Sequence, residues 1–85
     1  MFEYDPKKSQ INKSKHGLDF EQAQLLWNDS RRVEIQATST TEPRFMVIGR
    51  VAGKHWSGIV TYRNKNIRLI SVRRSRDDEV EVYES

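Results

Sequence analysis

Nine cations stand between Arg44 and Arg76 with no carboxylate among them: Arg44, Arg50, Lys54, Arg63, Lys65, Arg68, Arg73, Arg74 and Arg76. A guanidinium holds its charge throughout the cellular pH range, and its planar fork matches two oxygens of a phosphate. Cleaving an RNA phosphodiester without a metal takes three acts: removing the 2′-hydroxyl proton, stabilising the charge on five-coordinate phosphorus, and protonating the leaving 5′-oxygen. Several arginines on one sheet face supply the second act. Arg50 and Arg73 each end an apolar run, Met46-Ile48-Arg50 and Ile67-Leu69-Ser71-Arg73, which sets a charge at the edge of a packed surface. Arg63 and Arg68 flank a predicted turn, where they serve equally well as solvated strand ends. His16 closes a basic segment and is a candidate for proton exchange near neutral pH; a cation there also simply caps helix carbonyls. Tyr62 or Trp56 offers a face on which an unpaired base stacks, although a tryptophan so placed fits a core as well.

Other chemistries find little support. The two histidines, His16 and His55, are far apart, neither has a second ligand at metal spacing, and there is no cysteine, so neither a metal centre nor a cofactor is expected. The four glycines form no phosphate-binding loop ahead of a helix, and no nucleophile elbow is present.

At 85 residues, 35% apolar and 32% charged, the chain suffices for one domain over residues 1–85 with one modest core. The lack of cysteine and of a signal-like start points to a cytoplasmic protein, and the longest apolar run, Phe45-Met46-Val47-Ile48, is too short to span a bilayer. The basic block attracts polyanions unless the acidic tail, with Asp77, Asp78, Glu79, Glu81 and Glu84, folds back and neutralises it.

The elements that must position these groups follow from local signals. Phe2 to Tyr4 alternate like a short strand. Asp5-Pro6 starts a helix that Gly17 ends, and in residues 6 to 16 only Ile11 is clearly hydrophobic, so this helix must lean on something else. Asp19 and Gln22 form a capping-box pattern ahead of Phe20, Ala23, Leu26 and Trp27, whose spacing predicts an amphipathic helix over 20–28 with Trp27 packed on the core. Four strands follow: Val33 to Ala37, Phe45 to Val51, Trp56 to Tyr62 and Ile67 to Val72. Turns are predicted at Ser39 to Pro43, Ala52-Gly53-Lys54 and Asn64-Lys65-Asn66, making an antiparallel meander. Ser75 with Asp78 suggests a further capping box, and Glu79 to Tyr83 a short terminal helix. The fold class is α+β, with helices on one face of the sheet and the other face partly open.

The order of motifs resembles the BrnT toxin family. Phe2-Glu3-Tyr4-Asp5-Pro6-Lys7, Asn12, Lys15-His16-Gly17-Leu18-Asp19-Phe20-Glu21 and Ala23 resemble its opening. Arg44, Gly49, Arg50, Tyr62, Arg63, Arg68, Ile70-Ser71-Val72-Arg73, Arg76, Glu79 and Tyr83 resemble its second half. Tyr4 stands where tryptophan is usual and Val72 where alanine is usual; neither position touches the chemistry. The resemblance implies a RelE-like fold and a metal-independent endoribonuclease that inhibits translation. It also implies neutralisation by a BrnA-type ribbon-helix-helix antitoxin, with DNA bound only through that partner. By position it implies Arg50, Arg63 and Arg73 as phosphate clamps, with Lys15, His16 and Tyr62 as further site residues. A non-catalytic nucleic-acid-binding module and a protein-interaction module are the competing expectations, distinguished by RNA that stays intact or is not bound at all.

Overall fold

The computed structural model describes residues 1–38 and 41–85. Strand β1 (Phe2–Glu3) leads into helix α1 (Pro6–His16). The Asp5 carboxylate accepts the Lys7 N–H at 2.9 Å, Pro6 takes the first turn, and Gly17 closes the helix at φ 92° while its N–H reaches the Lys13 carbonyl. The helix is anchored by polar groups. Ile11 is 63% exposed, and the buried residues of α1 are Ser9 and Asn12. Asn12 Nδ2 donates to the carbonyls of Leu18 and Val72 at 2.7 and 2.8 Å, its Oδ1 accepts the Val72 N–H, and Ser9 Oγ accepts the Phe20 N–H. These bonds supply the support that the weak apolar pattern of α1 requires.

The Asp19–Gln22 capping box forms in both directions. The helix expected over 20–28 is instead α2 (Phe20–Ala23) continued by a tight 3₁₀ segment, Gln24–Asn28. Leu26, fully buried, explains where that segment must sit: its two methyls lie where side chains at Gly49 and Gly58 would be, 3.1 and 3.4 Å from the Cβ positions. Two glycines on neighbouring strands leave the notch that receives it. Trp27 packs edge-on to Phe2, with ring centroids 4.9 Å apart.

The remaining strands are β2 (Val33–Ala37), β3 (Arg44–Val51), β4 (Lys54–Arg63) and β5 (Asn66–Arg74), paired antiparallel in chain order. The sheet is nevertheless five-stranded and mixed, not confined to four antiparallel strands. β1 adds to β5 in parallel, giving the order β1-β5-β4-β3-β2. Ala52 and Gly53 turn β3 into β4, and Asn64 and Lys65 turn β4 into β5, with positive φ at all four; Lys65, not Asn66, takes the second left-handed position. Part of the Ser39 to Pro43 turn lies outside the described residues.

Leu18, Phe20, Ala23 and Leu26 pack on Val47, Val51, Trp56, Val60, Leu69 and Val72, forming the core on one sheet face. The opposite face carries Met46, Ile48, Arg50, His55, Ser57, Ile59 and Arg73, which alternate with those core positions. Helix α3 (Asp77–Glu84) lies across one end of this second face, where Ile48 is fully buried. Its N-terminus begins one residue later than Ser75–Asp78 predicts. The Ser75 N–H is still bonded to the His55 carbonyl of β4, so Arg76 becomes the cap and the Glu79 carboxylate accepts its N–H at 2.9 Å. Among the described residues no helix is long and apolar enough to cross a membrane.

Candidate active site

Arg50 and His55 face each other across the end of the β3–β4 hairpin. The Arg50 N–H points away from β4 to Asp29 Oδ2 at 2.8 Å, and the His55 carbonyl points away from β3 to the Ser75 N–H. The two therefore form a non-hydrogen-bonded antiparallel pair, the geometry in which Cα atoms come within about 4.5 Å and side chains lie closest. Two residues along β4, Ser57 sits opposite Arg73 on the same face.

Helix α3 is pinned here at both ends. At its start, Glu79 accepts two bonds from the Arg73 guanidinium, at 2.8 and 2.7 Å, and one from Ser57 Oγ at 2.8 Å. The Arg73 fork, assisted by the Arg76 N–H and Ser57, outweighs burial and holds the Glu79 carboxyl down at about 2. The same bond raises Arg73 above its ordinary value. At the end of α3, Glu84 lies 3.0 Å from His55 Nε2, and the Tyr83 ring meets the imidazole edge-on at 5.2 Å. A carboxylate only accepts, so against it Nε2 is the donor, and a neutral imidazole in that orientation has its lone pair on Nδ1.

Tyr83 donates its hydroxyl to Asp29 Oδ2 at 2.6 Å, and Asp29 Oδ1 accepts the Arg31 N–H at 2.9 Å. Partial burial pushes the Asp29 carboxyl up, but the Tyr83 hydroxyl and the Arg50 and Arg31 N–H groups together hold it below the usual range. The hydrogen bond to Asp29, together with burial and that carboxylate's charge, in turn raises Tyr83. Between these groups opens a cleft of about 590 Å³ lined by Arg31, Arg50, Asp29, Tyr83 and Gly53. A second hollow of about 360 Å³ shares Arg31 and Tyr83 and reaches Glu84. Among the described residues neither Arg31 nor Arg50 makes an ion pair, and the Arg50 fork reaches only the Gly53 carbonyl, at 3.3 Å. No three His, Asp or Glu side chains gather around one point among the described residues. The cleft brings together the Arg31 and Arg50 guanidinium groups; His55 lines neither hollow but stands opposite Arg50 in the hairpin, and its partner Glu84 lines the second, a neighbourhood suited to gripping an anion and moving a proton.

The residues singled out from sequence divide. Arg50 is in the cleft. Arg73 is on the same face, with its fork committed to Glu79. Arg63 is at the opposite end of β4, roughly 25 Å along the strand from His55 at the usual rise per residue, and pairs with Glu42 at 3.2 Å. Tyr62 is at that far end too, on the other face, against Phe45 and bonded to Glu34; burial and that carboxylate push its hydroxyl up to about 12. Lys15 and His16 end α1, on the helical face of the sheet. Trp56 is 6% exposed in the core, under Arg74. Arg68 pairs with Glu3 at 3.7 Å. The sequence reading gave no site role to His55, Tyr83, Asp29 or Arg31, although Tyr83 is among the residues that carry the family resemblance. His55 was within reach of it: counting outward from the Ala52-Gly53 turn places it opposite Arg50.

A family model described as ribonuclease toxin, BrnT, of type II toxin-antitoxin systems matches residues 4–79. None of the curated proteins matches the chain.

Proposed function

This chain belongs to the BrnT family of ribonuclease toxins, and we propose that the Arg50–His55 cleft is where it cuts RNA, without a metal, to inhibit translation in the cytoplasm. The observation that carries the assignment is the side-by-side placement of Arg50 and His55, with Glu84 on the imidazole and Arg31 across the cleft. In this mechanism the two guanidinium groups grip consecutive phosphates, and Arg50 stabilises the charge that builds on the scissile one. The Nδ1 lone pair of His55 accepts the 2′-hydroxyl proton as that oxygen attacks phosphorus. The P–O5′ bond breaks, the departing oxygen takes a proton from solvent, and the imidazolium, stabilised by Glu84, returns its own to solvent. The products are a 2′,3′-cyclic phosphate and a 5′-hydroxyl end. Arg73 acts as a positioning residue that fixes α3, and with it Tyr83 and Glu84, over the hairpin.

A type II family implies an antitoxin. We assign it as BrnA-type, with a ribbon-helix-helix domain through which the complex reaches DNA, and we read the layered helix–sheet arrangement as RelE-like. Incubating the purified chain with a single-stranded oligoribonucleotide in chelator tests the activity. The expected result is cleavage to cyclic-phosphate ends, lost when the 2′-hydroxyl at the cut site is replaced by hydrogen. RNA that is bound but stays intact, with or without divalent metal, contradicts it.

A further inference from the structure

β2 is an edge strand, and the hydrogen-bond parity of its neighbour shows which of its backbone groups are open. The Arg50 N–H points to the β2 side of β3, so Ile48, Met46 and Arg44 point there as well and bond to Val33, Ile35 and Ala37. The N–H and C=O of Glu34 and Gln36 therefore face outward, unpaired by the sheet. Beside this edge, on the face that α3 leaves open, runs the apolar row Ile35, Met46 and Ile59, in register across three strands, with Ile35 38% exposed. Cations border this face: Arg31 precedes the strand, and Arg44, opposite Ala37, has its Nε enclosed with no hydrogen-bond partner among the described residues; Arg32, bonded to the Trp27 and Asp29 carbonyls, and Glu34, bonded to Tyr62, lie on the helical face instead. An open edge beside an apolar row is the geometry of strand addition, in which main-chain bonds give affinity and alternate side chains fill the row.

We infer that an extended, acidic segment of the antitoxin pairs with the outer edge of β2, laying its apolar side chains over Ile35 and Met46 and its carboxylates toward Arg31 and Arg44. The inference rests on the toxin–antitoxin reading above. Charge selects this occupant over a second copy of the chain, whose own β2 would bring further arginines to the same edge. The docking surface lies on the β2 edge and the uncovered part of the sheet and meets the cleft at Arg31 alone.

Amide hydrogen exchange on the full chain, alone and bound to the antitoxin encoded beside it, tests this. Glu34 and Gln36 amides exchange freely in the free chain and gain protection in the complex. Gln36→Pro, which removes an outward N–H and no ladder bond, weakens antitoxin binding at least about tenfold, whereas Gln36→Ala stays within about twofold. Ile35→Lys weakens it as well, and all three variants keep wild-type RNA cleavage. A complex in which Glu34 and Gln36 stay unprotected and Gln36→Pro binds normally overturns the inference while leaving the toxin–antitoxin reading intact. Protection of these amides in the free chain together with a doubled mass also overturns it, in favour of a second copy. Failure of the wild-type chain to bind any such antitoxin removes the reading and the inference together.

Discussion

The Tyr83 hydroxyl donates to Asp29 Oδ2 at 2.6 Å across 54 residues of sequence. The same oxygen accepts the Arg50 N–H, so one carboxylate joins the loop before β2, the end of β3 and the end of α3. The bond requires Tyr83 protonated and Asp29 ionised, the states that the raised tyrosine and lowered aspartate favour. Tyr83→Phe keeps the ring on His55 and removes this tie. It lowers stability by about 1 kcal/mol and reduces RNA cleavage more than RNA binding, because α3 no longer holds Glu84 in place. Denaturant melts and single-turnover cleavage check the two effects; equal losses in binding and cleavage contradict the positioning role.

Glu79 gives the fold its acid sensitivity. Its carboxyl titrates at about 2 in the folded chain against an ordinary 4.5, so its stabilising contribution is complete above the ordinary value and is lost as pH falls through the folded one. Glu79→Gln costs on the order of 2–3 kcal/mol at neutral pH, since it leaves Arg73 facing a neutral partner. In thermal melts the gap between variant and wild type narrows as pH falls from about 4.5 toward 2. A gap independent of pH contradicts the assignment.

Asn12 is the anchor of a helix that has almost no apolar face. Asn12→Ala leaves the Val72 N–H and the Leu18 and Val72 carbonyls without their partner, and buried groups so stranded cost about 1–3 kcal/mol. Protease nicking of α1 well before global unfolding is the expected outcome. Ile11→Ala, at an exposed position, leaves both unchanged.

The notch beneath Leu26 predicts a ranking. Alanine at Gly49 meets Leu26 at 3.1 Å and also Asp29 and Arg32 at 3.4 and 3.5 Å, whereas alanine at Gly58 meets Leu26 at 3.4 Å, an ordinary contact. Gly49→Ala therefore destabilises by about 1–3 kcal/mol and Gly58→Ala by less. Equal melting temperatures for the two contradict the notch.

Local signals were readable where a short motif carries its own geometry. Asp5-Pro6 and Gly17 bound α1, Asp19 and Gln22 cap α2, and the strand periodicity with its glycine and asparagine turns gives β2 to β5. What escaped was set by partners distant in sequence. Asn12 looks like an ordinary helix residue until Val72 stands beside it. The 3₁₀ segment answers a notch formed by Gly49 and Gly58, and the parallel pairing of β1 with β5 joins the two ends of the sequence. The acidic tail does fold back, but selectively: it takes Arg73 through Glu79 and His55 through Glu84, and it leaves Arg50 unpaired among the described residues. Charge sorting revealed a basic block without showing which of its members a carboxylate would claim.

The proposed mechanism puts RNA cleavage in one place, beside Arg50 and His55. The most direct measurement compares single-turnover RNA cleavage by His55→Ala and Arg50→Ala with that by His16→Ala and Arg63→Ala, each folded to the wild-type melt. The first two are expected to lose about 10²–10⁴ in rate, and the second two to stay within about threefold, as a residue outside the reacting centre does. Full activity in His55→Ala with loss in His16→Ala would place the chemistry on the helical face and contradict this account.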